Sequence, residues 1–336
     1  MVNTVTTTKN KMNYLKAFLP YLFGNKVGKP FLFSLPEKSN WEEFSFEEKL
    51  SFHALSLTLN EYLGTLNWHQ LSKKEIFHII NFHQFLSQTN LQKILDFYPQ
   101  DWIFFKEAKS APALNRESLQ ALIEFKNGQL TLFALMPSDR SKRGRLLIRK
   151  ADGKFVVNSK GHIWSIPILA HTHRGLSFNH SNGHTPCGIY RIDGVMPEAN
   201  NQLEFGKFRR LIVNFLKAED GQEYFNRMPQ SHWNLNWWKQ SMLANLLGRS
   251  LLRIHGTGRK NFNIFSSYYP FVPTSGCLAT METGHFGERI THQRQLLNVL
   301  MEAQGLSPVY ENELKIHGLL YVVEFDGSLS ALEFKV

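Results

Sequence analysis

The chain of 336 residues predicts an α+β protein, a helical first third followed by a mainly β remainder. Two serine-led helix starts lie before residue 110. Beyond about residue 119 the apolar residues recur with the period of strands, punctuated by Asn-Gly and Asp-Gly turns. Hydrophobic residues make up 43% of the chain, charged residues 20%, and 27 residues are Phe. Such a composition supplies a large core and excludes a disordered or collagen-like chain.

The elements follow in chain order. Lys9, Lys11 and Lys16 precede the apolar stretch from Ala17 to Gly24, which imitates a secretory leader but is short, is broken by Pro20 and lacks an Ala-x-Ala-like cleavage site. Ser45-Phe-Glu-Glu48 and Ser72-Lys-Lys-Glu75 each match the capping box, in which the hydroxyl and the carboxylate satisfy backbone donors at a helix start. Phe46, Leu50, Ala54 and Leu57, then Ile76, Ile79, Ile80 and His83, form the apolar faces of the two helices. His53, His78 and His83 read as semi-buried helix surface rather than metal ligands.

The stretch around Pro112 marks the expected boundary, giving a helical N-terminal domain of unknown role (1–112) and a β-rich domain (113–336). Three hairpins are expected in the second part. Asn127-Gly128 would join Leu119–Phe125 to Gln129–Leu135, Asp152-Gly153 would join Leu146–Lys150 to Phe155–Asn158, and Asp326-Gly327 would join Leu320–Phe325 to Leu329–Phe334. A late helix is expected over roughly 286–304, with Ile290, Leu296, Leu297, Leu300 and Met301 on its apolar face. No stretch approaches the roughly 18 apolar residues of a membrane-spanning helix, so no integral membrane segment is expected.

Lys and Arg number 38 against 28 Asp and Glu, a net charge of +10 that favours anionic partners. The basic residues are scattered, densest from Arg140 to Lys150, without a groove-reading helix or an aromatic RNA signature, so no nucleic acid is expected. With Cys187 and Cys277 alone there is neither a disulfide framework nor a Cys-x-x-Cys metal knuckle.

The chemistry gathers late in the chain. Leu251-Leu-Arg-Ile-His-Gly-Thr-Gly258 is an apolar strand running into a His and a glycine-rich turn, and Thr274-Ser-Gly-Cys277 follows 22 residues after His255. An imidazole beside a thiol takes its proton and stabilises the thiolate, while an adjacent glycine lets backbone amides approach a developing oxyanion. Acyl transfer is the reaction class this pair suits; an inert buried thiol is the alternative for Cys277.

Gly183-His-Thr-Pro-Cys-Gly-Ile-Tyr-Arg-Ile192 carries Thr-Pro-x-Gly-x-Tyr entering a strand. Together with Ile254-His-Gly256 and Ser275-Gly-Cys277, in that order, it resembles the L,D-transpeptidase catalytic-domain family of bacterial cell-wall enzymes over about residues 140–285. The resemblance implies a mostly β domain acting on peptidoglycan stem peptides without a cofactor or metal, at the cell envelope or in the periplasm, with the anionic wall as partner. It further implies Cys277 as nucleophile, His255 as general base, the Gly256 carbonyl as its orienter, and the amides near Gly276 and Cys277 as oxyanion hole.

Two positions depart from the family pattern. Ser275 stands where a His is usual and Ala279 where an Arg or Asn is usual, which leaves Arg253 or Arg259 to meet a substrate carboxylate. Thr274 and Tyr269, the latter in the Tyr268–Phe271 aromatic stretch, complete the candidate substrate contacts; this stretch and Trp233, Trp237 and Trp238 read equally as core. A competing constellation is His171, His173, His180, His184 and Cys187, five zinc-type ligands within 17 residues at spacings unlike a common finger. It defines the alternative, a noncatalytic wall-binding or zinc-binding module.

Overall fold

The computed structural model describes residues 44–328 except 56–57, 218–220, 283 and 286–287. The leader-like stretch and the second arm of the Asp326-Gly327 hairpin lie outside the described residues.

Six helices open the described chain: α1 (Phe46–Leu55), α2 (Leu59–Gly64), α3 (Lys73–Asn81), α4 (Gln88–Phe97), α5 (Pro99–Lys109) and α6 (Arg116–Glu124). At the start of α3 the Ser72 side chain accepts the Glu75 N–H, and the Glu75 carboxylate accepts the Ser72 N–H at 2.8 Å. Ser45 and Glu48 make the same reciprocal bonds before α1. Pro99 at the first position of α5 sacrifices no bond, because the first helical N–H groups have no partner within the helix. The helices α1–α5 bury Leu50, Leu63, Phe77, Ile80, Ile94 and Phe105 in one cluster, and Phe178, Leu243 and Leu247 from later in the chain complete it.

The remaining elements are β1 (Thr131–Met136), β2 (Gly144–Arg149), β3 (Ser165–Ile168), β4 (Gly188–Val195), α7 (Gln202–Phe205), β5 (Leu211–Phe215), α8 (Gly221–Phe225), α9 (Lys239–Leu246), β6 (Leu252–His255), β7 (Leu278–Ala279), β8 (Gly284–His285), β9 (Glu288–Arg289), α10 (His292–Ala303) and β10 (His317–Glu324). Eight strands form one sheet in the order β3-β2-β1-β10-β4-β5-β6-β7. Pairs β1–β10 and β6–β7 are parallel and the others antiparallel. The two edges meet just past β3, where Leu169 and Ala279 exchange N–H···O bonds of 3.0 and 2.8 Å, which leaves neither edge open at this point. The fold class is α+β, as the sequence predicts.

Both faces of this sheet are covered. One packs Leu132, Ile148, Ile192, Ile254 and Leu320 against Leu296, Leu297, Leu300 and Met301 of α10. The other packs Phe133, Leu147, Ile189 and Tyr321 against Leu119, Leu122 and Ile123 of α6 and against Trp237 and Trp238, so these two tryptophans are core. Burial on both sides explains why β1 is apolar without alternation from Leu132 to Met136.

Two sequence expectations are corrected. The run Leu119–Phe125 is not a hairpin arm: most of it is α6, whose start is capped by Asn115 Oδ1 accepting the Ser118 N–H at 2.8 Å. The buried residues Leu119, Leu122 and Ile123 also fit helical spacing, and the cap decides between two patterns that a short apolar run satisfies equally. Gly128, at φ +70°, therefore turns the chain from a helix into a strand. The late helix starts at His292, because 288–289 form β9. The Asp152-Gly153 turn is as expected, with Gly153 at φ +91° and Lys150 N–H donating to Lys154 O at 2.8 Å.

Candidate functional site

The register of β6 with β7 sets the site. Ile254 lies opposite Leu278, and both side chains belong to the core. Because side chains alternate along a strand, His255, one residue after Ile254, and Cys277, one residue before Leu278, lie on the opposite face. Both line a cavity of about 540 Å³ whose wall also holds His173, Glu204, Thr257, Arg259, Thr274 and Ser275.

His255 Nδ1 lies 2.6 Å from the Gly256 carbonyl oxygen. An oxygen of this kind only accepts, so Nδ1 carries the proton and Nε2 keeps its lone pair. Burial lowers the His255 pKa to about 4, with Arg210 and Arg253 adding to the effect and the Gly256 bond opposing it. The imidazole is therefore neutral at neutral pH, and the near-neutral titration of an ordinary His is displaced toward acid.

Cys277 is partly exposed. Desolvation raises its pKa, opposed by a hydrogen bond from the Arg253 backbone and by the charges of Arg253, Arg249 and Arg210. The pair therefore rests as thiol and neutral imidazole, not as an ion pair. Cys187 is different: it is fully enclosed, it accepts from Arg140 Nη2 at 3.0 Å, and burial pushes it up to about 12. That thiol is inert.

The Cys277 turn is held from three sides. Thr274 Oγ1 donates to Cys277 O at 2.7 Å and accepts the Gly276 N–H at 3.3 Å. Thr185, from the Thr-Pro-x-Gly-x-Tyr segment, donates to Gly276 O at 2.9 Å. Arg249 caps the carbonyls of His184 and Gly183 at 2.7 and 2.9 Å, and a Cβ on Gly276 would lie 2.7 Å from its Nη2. Gly276, at φ +110°, is thus required both by backbone conformation and by space. Of the amides near Gly276 and Cys277 that the resemblance implies for an oxyanion hole, the Gly276 N–H is engaged by Thr274.

Arg253 has no carboxylate in ion-pair range among the described residues, whereas Arg259 is paired with Glu204. Ala279 is buried in β7 and offers no polar group. Tyr269 is half-buried and lies outside the cavity wall. Arg249 and Glu282 carry no motif in the sequence; only the fold brings them to the site.

The Glu282 carboxylate fills the space between Gly206 and Gly256: a Cβ at either position would lie 2.6 or 2.3 Å from Oε1. Oε1 is buried without a partner among the described residues, and burial raises the Glu282 pKa to about 6 from 4.5. The native state thus holds this proton more tightly than the unfolded chain, so the destabilisation from ionising it grows as pH rises from about 4.5 to 6 and is constant above. Glu282→Gln is expected to stabilise the protein at pH 7 by up to about 2 kcal/mol and to give no gain near pH 4, as read by denaturant unfolding at the two pH values.

Leu251 adopts φ +60° although it is a Leu, is 72% exposed, and its carbonyl lies 4.0 Å from Cys277 Sγ. A left-handed Leu costs on the order of 1–2 kcal/mol, partly offset by the entropy of the Gly that would relieve it. Leu251→Gly is expected to raise stability by about 0.5–1 kcal/mol in thermal unfolding, since no packing is lost.

The zinc-type constellation does not assemble. His171 stacks on His184 at 5.4 Å between centroids, His180 faces Asn81 Nδ2 at 3.4 Å, His173 lines the cavity and Cys187 meets Arg140. Apart from the His171–His184 pair the ligands face different neighbours, and no metal-type cluster of three occurs among the described residues. No protein-family model, no curated protein and no solved structure matches the chain.

Proposed function

We propose that the protein is a cysteine acyltransferase of the L,D-transpeptidase type, acting on peptidoglycan stem peptides at the bacterial cell envelope, with a helical N-terminal domain followed by the catalytic β domain. The observation that carries this reading is the sharing of one cavity by a partly exposed Cys277 and a His255 whose tautomer is fixed by its neighbour's carbonyl.

In this mechanism the thiol proton passes to His255 Nε2 as Sγ attacks the carbonyl carbon between the diamino acid and D-Ala. The Cys277 amide is the donor we assign to the oxyanion. Collapse breaks the C–N bond, His255 returns the proton to the departing D-Ala nitrogen, and a thioester remains. Water or an amine then attacks the thioester, giving trimming or a cross-link, and the thiol is restored. The stem-peptide carboxylate is assigned to Arg253, which lies outside the cavity wall, donates to Met196 Sδ and Leu252 O, and has no carboxylate in ion-pair range among the described residues. Incubation with purified tetrapeptide muropeptides tests the reading by mass spectrometry: release of D-Ala supports it, and unchanged muropeptides under all conditions contradict it.

A further inference from the structure

Between Arg259 and Tyr269 the chain leaves the cavity wall and returns to it at Val272 and Pro273. This loop holds Phe265 at 91%, Phe262 at 81% and Ile264 at 62% exposure. It is also well built. Asn261 Oδ1 accepts the Asn263 N–H and Asn263 Oδ1 the Phe265 N–H, both at 3.0 Å, while Asn261 Nδ2 donates to Ser266 Oγ at 2.7 Å. Three large apolar side chains held in water on one ordered loop mark an interaction surface.

The neighbours indicate what covers it. Lys260 is exposed beside the loop, and Ser267 Oγ donates to Ser141 Oγ at 2.9 Å, which joins the loop to the turn bearing exposed Lys142 and Arg143, with exposed Arg145 next in β2. Glu204 matches Arg259 and Asp139 matches Lys142, whereas Lys260, Arg143 and Arg145 have no carboxylate partner among the described residues. A single protruding tip buries far less than the roughly 800 Å² per partner of a stable protein interface, but a bilayer accepts it without shape complementarity.

We propose that this loop docks the protein on an anionic membrane surface, with Phe262, Ile264 and Phe265 entering the interfacial region and Lys260, Arg143 and Arg145 meeting lipid phosphates. No helix among the described residues is long and apolar enough to cross a membrane, so this contact is peripheral. The proposal is independent of the chemistry at Cys277.

The test is sedimentation of the full chain with phosphatidylcholine vesicles made with or without phosphatidylglycerol. The wild type is expected to partition onto the phosphatidylglycerol vesicles and to leave them at high salt. Phe262→Ser/Phe265→Ser is expected to lose about tenfold or more in partitioning, and Lys260→Glu/Arg143→Glu to lose a comparable factor. Unchanged melting of both variants shows that they fold, since every replaced side chain is exposed. Four results would overturn the proposal: no vesicle binding by the wild type; binding that the double Phe variant leaves intact, which assigns it to diffuse charge; a dimer that this variant dissociates, which assigns the patch to a second copy; or loss of binding to peptidoglycan sacculi in place of vesicles.

Discussion

Replacing Cys277 by Ala is expected to reduce D-Ala release to background, a loss on the order of 10⁴-fold or more, while changing stability by about 1 kcal/mol or less. The asymmetry follows from position: the thiol supplies the nucleophile of the proposed reaction, yet it is partly exposed and the turn around it is held by Thr274 and Thr185. Cys187→Ala is expected to leave turnover near wild type, because that sulfur is enclosed beside Arg140 and away from the cavity wall. Initial rates on tetrapeptide muropeptides, with unfolding curves for each variant, check both expectations. Near-normal release by the Cys277 variant would remove the nucleophile assignment.

His255→Ala is expected to cost at least about 10²-fold in turnover, the lower end of what a positioned general base contributes. The pH dependence carries the sharper expectation. A base must be unprotonated to act, and with His255 lowered to about 4 the rate should rise as pH passes through about 4 and stay level across neutrality. Alkylation of the resting thiol should be slow at pH 7 and quicken on the alkaline side, since desolvation holds Cys277 above the ordinary thiol range. A rate profile whose acid limb centres near pH 6.5, the ordinary His value, would show that the imidazole is more hydrated than its burial indicates.

Local features of the chain were the legible ones. The Ser72 to Glu75 box, the Asp152-Gly153 turn and the His255 to Gly256 bond depend on neighbours a few residues away, whereas the place of Cys277 beside His255 depends on the pairing of β6 with β7. The run Leu119–Phe125 was misread because its apolar residues satisfy both periods, and a side-chain cap at Asn115 outweighed the Asn-Gly signal beyond it. Arg249 and Glu282 were invisible for another reason. Their roles arise from contacts across the fold, Arg249 with the carbonyls of residues 178, 183 and 184, and Glu282 with the spaces beside Gly206 and Gly256. The zinc-type cluster failed in the opposite direction, since closeness in sequence did not become convergence in space.

In the proposed reaction Cys277 forms a thioester with the diamino-acid carbonyl of a stem peptide. Intact-protein mass spectrometry after brief exposure to tetrapeptide muropeptide, quenched in acid and followed by peptide mapping, measures this directly. The expected result is a mass increase equal to the muropeptide minus D-Ala, located on the peptide containing Cys277 and absent from the Cys277→Ala protein. An unmodified Cys277 in a preparation that still releases D-Ala, or an adduct on any other residue, would contradict it.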